Sequence, residues 1–197
     1  YPIPRDFKRE GGSDRHILML DKSSCTLYEL FAAEKPDGRW RAGSGAVWDL
    51  DSNRLRPAGW TSADAAGLPI LPGLVRYDEV QAGAIFHALR FTAPRTRTGY
   101  IFPARHEAGE SSAISLPPMG LRVRLKASVD ISRYPRQARV ILTALKRYGL
   151  IVADNGSNWF FSGTSDRRWD DEDLNQLKSI PGSAFEVVRS AAPVHTC

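Results

Sequence analysis

The sequence predicts a mainly β protein, an antiparallel β-sandwich or jelly-roll-like fold with two or three peripheral helices. Three observations point there. Short runs of alternating apolar and polar residues, bounded by turn signals, fill most of residues 13–130. Helix-period patterns with caps come later, over Pro135–Tyr148 and Asp170–Ile180. A doubly wound α/β fold needs helices alternating with strands throughout, and residues 13–130 lack that pattern.

The elements follow in order. Residues 1–12 read as an N-terminal arm or linker, 13–190 as a single β-rich domain and 191–197 as a C-terminal tail. The opening Tyr1-Pro2-Ile3-Pro4 has neither an initiator Met nor a signal peptide, as in a processed chain. Arg15–Asp21 and Thr26–Ala33 are apolar runs joined by polar Lys22-Ser23-Ser24, a hairpin pattern. Asp37-Gly38 signals a second hairpin before Arg39–Asp51. Residues 53–72 form a long loop, expected to be ordered because it holds Trp60, Leu68, Ile70 and Leu71. Leu74–Gln81 fits a short helix between Pro72-Gly73 and Gly83.

Strands are expected again over Ala84–Thr92, Gly99–His106 and Leu121–Val129. The helix over Pro135–Tyr148 has Pro in its first turn, Gly149 just past its end and Lys146-Arg147 in its last turn. Strands over Leu150–Ala153, Asn158–Ser162 and Phe185–Arg189 complete the pattern, with the second helix between the last two.

Composition narrows the class. Apolar residues make up 42% and charged residues 25%, which excludes a disordered tail or a fibre. No apolar run approaches the ~18 residues of a membrane span. The net charge of +5 is concentrated between Gly120 and Leu150, where eight cations face one acid, Asp130. That segment carries +7, so the remainder carries −2. Such a patch suits nucleic acid, but no helix-turn-helix, zinc-finger or RNP signature accompanies it. A solvated strand and helix face is the competing explanation. Two cysteines leave a Cys25–Cys197 bridge open, with Cys25 otherwise an inert core thiol. Four His and two Cys without C-x-x-C or H-x-x-x-H spacing argue against structural zinc, and no cofactor motif is present.

Four constellations could carry chemistry. If Ala84–Thr92 and Gly99–His106 form a hairpin, His87 and His106 share a sheet face and could act as catalytic acid and base, or hold a metal. A one-residue slip would part them, and His87 could equally be a satisfied core histidine. Asp49 and Asp51, two apart on a strand, would lie about 6–7 Å apart at Cα, a spacing open to a glycosidase carboxylate pair. Asp49-x-Asp51-x-Asn53 starts like a calcium loop but lacks its Gly and its final Glu. Arg122, Arg124 and Lys126 alternate with apolar residues and would form a basic ridge for an acidic polysaccharide. Asn155 and Trp159 fit sugar recognition, an amide for hydroxyls and an indole for a ring face, or an ordinary tight turn.

Several stretches resemble a group of secreted bacterial proteins of undefined function: GSGAVWDL (43–50), GWTSADAAGLPILPGLVRYDE (59–79), PPMGLRVRLKASVDI (117–131) and YGLIVADNGSNWFFSG (148–163). The likeness covers most of residues 11–189 and implies export and a link to polysaccharide breakdown. It brings no catalytic assignment. The expectation is therefore an extracellular, polysaccharide-active hydrolase or lyase. A carbohydrate-binding module and, further off, a basic nucleic-acid-binding domain are the alternatives.

Overall fold

The structure, a computed structural model, describes residues 1–189 together with 194 and 195. Sheet outweighs helix among these residues. The strands form a three-stranded sheet, a four-stranded sheet and a two-stranded pair.

The first sheet is the two expected hairpins. β1 (Ile17–Asp21) pairs antiparallel with β2 (Thr26–Phe31), and β2 with β3 (Ser44–Asp49). Between β2 and β3 the chain turns through Asp37 (φ 52°) and Gly38 (φ 76°), the left-handed pair that Asp-Gly favours. Cys25 lies in the β1–β2 turn at φ 47° and is half-buried. It is therefore not the core thiol its apolar neighbours suggested, and Cys197 lies outside the described residues.

The second sheet has the order β4 (Leu89–Ala93), β7 (Leu150–Asn155), β6 (Arg122–Leu125), β8 (Phe185–Val187). β4 and β7 run parallel, so this sheet is mixed rather than antiparallel throughout. A parallel pair needs a long crossover, and the chain from 94 to 149 supplies it. Within that crossover α2 (Arg136–Arg147) packs on β6. It ends at Gly149 (φ 78°), where an added Cβ would come within 2.2 Å of the Val123 carbonyl oxygen.

Two further helices accompany it. α1 (Tyr77–Ala82) precedes β4. α3 (Asp171–Asn175) continues as a tighter turn to Ser179. The strands expected over 84–92 and 99–106 are shorter than predicted. β4 begins only at Leu89, and β5 (Tyr100–Ile101) pairs with β9 (Val194–His195).

The main core lies on one face of the four-stranded sheet. Leu89, Phe91, Val123, Leu125, Leu150 and Val152 meet Ala138, Ile141, Leu142 and Leu145 of α2. Each fully buried Leu or Ile contributes about 1.5–3 kcal/mol over its exposed state. The three-stranded sheet has smaller clusters of its own, such as Ile17, Met19, Leu30 and Ala33.

The opposite face carries the alternate residues, Arg90, Ile151, Arg122 and Arg124. The long loop is ordered, as expected, and covers part of this face. Ser62, Ala63, Asp64, Ala66, Leu68 and Ile70 are buried. Ser62 Oγ donates to the Leu68 carbonyl (2.6 Å), and the Ala66 N–H donates to the Ala153 carbonyl on β7 (2.8 Å). Gly73 rests on Arg90, whose Cβ would lie 3.0 Å from a Cβ added there.

Candidate functional site

The structure distributes the residues singled out above. The hairpin that would join His87 to His106 does not form, because β4 lies against β7 and β5 against β9. His87 Nε2 stands 3.2 Å from Glu79 Oε2 of α1. His106 Nδ1 donates to the Ala65 carbonyl at 2.9 Å. Asp49 closes β3, and Asp51 lies in the turn beyond it rather than on the strand. Asp49 Oδ1 accepts the Asp51 N–H at 3.0 Å, so the pair caps a turn. The charge on Asp51 pushes the neighbouring Cys25 thiol up.

The basic ridge alternates as expected, with Val123 and Leu125 buried. It is partly neutralised from β8. Arg124 Nε lies 2.6 Å from Glu186 Oε1, its cross-strand partner, and Lys126 Nζ donates to the Ser183 carbonyl at 2.8 Å. Arg122 instead lines a cleft of about 220 Å³ with Asp64 and Arg90. Asn155 is engaged by Thr96, its Nδ2 donating to Thr96 Oγ1 at 3.1 Å. The Trp159 indole packs on Phe91 and Phe185, with ring centroids 5.2 and 4.7 Å away.

A different set of residues converges around Arg90. A lone arginine between Leu89 and Phe91 on a largely buried edge strand needs a partner for its charge. The loop provides one. Arg90 Nη2 and Nε donate to the two oxygens of Asp64 at 2.8 and 3.2 Å, a bidentate pair. The Asp64 side chain is 0% exposed and that of Arg90 11%. Asp64 therefore orients the guanidinium, with its carboxylate closed to solvent.

A second carboxylate reaches Arg90 through an irregularity in β7. Phe91 opposes Val152, yet Thr92 opposes Asp154, so Ala153 is an extra residue. In regular register Asp154 would follow Leu150 and Val152 into the apolar core. The bulge turns it instead to the Arg90 face. Asp154 Oδ2 stands 3.7 Å from Arg90 Nη2, with its side chain 22% exposed. Burial, then the Asp64 charge, push the Asp154 carboxyl up to about 7, against the pull of Arg90.

The arm brings a third carboxylate. His16, just before β1, has Nδ1 2.5 Å from Glu10 Oε2 and Nε2 2.9 Å from the Ala63 carbonyl. Both partners are acceptors, an arrangement that favours the doubly protonated ring. Burial works against that charge, but the Glu10 and Ala63 hydrogen bonds outweigh it and raise the His16 pKa. The same hydrogen bond from His16 holds Glu10 below the usual carboxylate range. Glu10, His16 and Arg90 line one cleft of about 520 Å³.

Behind this cleft Glu29 is fully buried on β2. It accepts the Ile70 and Leu71 N–H groups, each at 2.9 Å, and Trp48 Nε1–H at 3.1 Å. Burial pushes it up to about 7. Its task is to pin the long loop to the first sheet.

Sequence reasoning passed over Glu10, His16, Asp64 and Arg90. The available signal was charge out of pattern: an arginine inside an apolar strand, and an acid in a loop rich in apolar residues. Asp154 was noticed only as part of a turn. Among the described residues no group of three or more His, Cys, Asp or Glu side chains is placed to hold a metal ion. No helix there is long and apolar enough to cross a membrane. No family model, curated protein or solved structure matches the chain.

Proposed function

We propose that this is a secreted protein that cleaves a polysaccharide by acid–base chemistry beside Arg90. One observation carries the reading. Arg90, held by Asp64, stands 3.7 Å from Asp154 on one side and lines a cleft with Glu10 on the other, and its two neighbours differ: His16 holds Glu10 below its ordinary value, while burial raises Asp154 to about 7. Such a split assigns a base and an acid. Asp154 holds a proton to give to the glycosidic oxygen as the C–O bond breaks. Glu10 takes a proton, either from the water that adds to the anomeric carbon or from the carbon beside a sugar carboxylate. The first course is hydrolysis and the second elimination. Arg90, fixed by Asp64, offers positive charge to oxygen that becomes negative in the transition state.

The test is a glycan panel read for new reducing ends and for unsaturated products, across pH. Activity should fall at low pH as Glu10 is protonated and fall again above about 7 as Asp154 ionises. Asp154→Asn and Glu10→Gln should each lower kcat by about 10²-fold or more. Glycan retention by the wild type without any product would instead mean a carbohydrate-binding module. That second reading draws on Phe160, 55% exposed and two residues before Ser162 of the cleft lining.

A further inference from the structure

The cleft at Arg90 does not stand alone. Its floor includes Ser162, Gly163, Thr164 and Ser165, and its rim carries Lys8 and Arg9 of the arm. Both rim cations are exposed, and of the ionisable groups lining the cleft only Glu10 is acidic. Arg90 is matched by Asp64 and Asp154, and His16 by Glu10, so the positive charge left to the cleft is that of Lys8 and Arg9. On the far side of the same segment lies a groove of about 330 Å³ that shares Gly163 and Thr164. It is lined by Trp159, Phe160, Phe161 and Trp169, with Lys178 at its edge.

The dividing segment is tied to Val75 on both sides of Gly163. Thr164 N–H donates to the Val75 carbonyl at 2.9 Å, and Val75 N–H to the Ser162 carbonyl at 3.1 Å. Gly163 has no side chain to wall the two spaces apart, and a Cβ there would sit 3.1 Å from the Val75 oxygen. Phe160 is the most exposed of the groove aromatics, whereas Trp159 is packed on Phe91 and Phe185.

We propose that the cationic cleft and the aromatic groove are two halves of one binding groove for an anionic sugar chain crossing Gly163. Lys8 and Arg9 neutralise the acid groups of the chain, the hydroxyls of Ser162 and Ser165 meet its hydroxyls, and Phe160 stacks on a following ring. This occupant follows from charge complementarity on one side, ring faces on the other and the shared floor between them. The inference rests on the polysaccharide reading and adds to it the substrate class and the residues that select it.

Binding is measured by calorimetry with a galacturonate hexamer, its methyl ester, a sulfated dextran oligomer and a neutral gluco-oligosaccharide of equal length. The anionic chains should bind, and the ester and the neutral chain should bind at least about tenfold more weakly. Raised salt should weaken only the anionic complexes. A preference between carboxylate and sulfate ester identifies the acid group. Lys8→Gln with Arg9→Gln, and separately Phe160→Ala, should each weaken the anionic complex by about tenfold, with thermal unfolding confirming that each variant is folded. Equal binding of charged and neutral chains, no binding of any chain, or unchanged affinity in both variants overturns the proposal.

The catalytic reading is judged separately. Product formation lost in Asp154→Asn, with unchanged KM in the groove variants, keeps that reading and removes this one. Binding that depends on the groove residues, without product from any glycan, does the reverse.

Discussion

At the residue scale the decisive feature is the unequal treatment of carboxylates around one guanidinium. Asp64 is sealed beneath Arg90, while Asp154 is reached by water at its edge. The Asp64 charge is one of the causes that lift Asp154. Replacing Asp64 by Asn should remove that repulsion and free Arg90 to turn to Asp154. Both changes lower the Asp154 pKa from about 7. A carboxyl-resolved NMR titration should show the fall, and the basic limb of any activity should move to lower pH with it. An unmoved or raised Asp154 titration would show that burial alone sets its value. The Asp64→Ala change is harsher and should cost about 3–5 kcal/mol by leaving Arg90 without its bidentate partner.

At the element scale the helices depend on partners far along the chain. α2 begins after Pro135, which has no side chain to cap it. The cap comes from α3 instead. Asp173, buried, accepts the Gln137 and Ala138 N–H groups, each at 2.8 Å. Asp173 is itself held at the start of α3 by Asp170, whose side chain accepts the Glu172 and Asp173 N–H groups. Two N–H bonds to a carboxylate at a helix N-terminus are worth more than an ordinary surface cap. Asp173→Ala should therefore cost about 2 kcal/mol or more in urea unfolding. Arg124→Ala offers the contrast. Its ion pair with Glu186 is exposed on both sides, so its loss should change stability by less than about 1 kcal/mol.

At the scale of the whole molecule, buried acids make stability depend on pH in an unusual direction. Asp154 and Glu29 rise from ordinary values of 3.8 and 4.5 to about 7. Between those values the folded protein keeps protons that the unfolded chain has lost, so stability falls as pH rises. His16 acts in the same sense, since a raised histidine stabilises at low pH and loses that contribution as pH rises through its folded pKa. Glu10 opposes them only at the acid end, where its lowered pKa is crossed. Chemical denaturation from about pH 5 to pH 7 should show declining stability. In Glu29→Gln the decline should be shallower. The variant should also be less stable throughout, because the amide turns donors toward Ile70, Leu71 or Trp48. Stability that climbs over this range in the wild type would contradict the assignment of protonated buried acids.

What the sequence determined by itself is local. The β1–β2 turn, the Asp37-Gly38 turn, the alternation of Arg122–Leu125 and the span of α2 each depend on neighbours within a few residues. Their periodicity and turn chemistry were therefore legible. The tertiary structure alone decided the parallel pairing of β4 with β7, the bulge at Ala153, the placing of Asp64 and Asp154 on Arg90, and the cleft that Arg90 shares with Glu10. The physical reason is that register and burial are long-range properties. One extra residue turned Asp154 from the core to the Arg90 face, and a loop 26 residues away in sequence supplied the buried charge that Arg90 required.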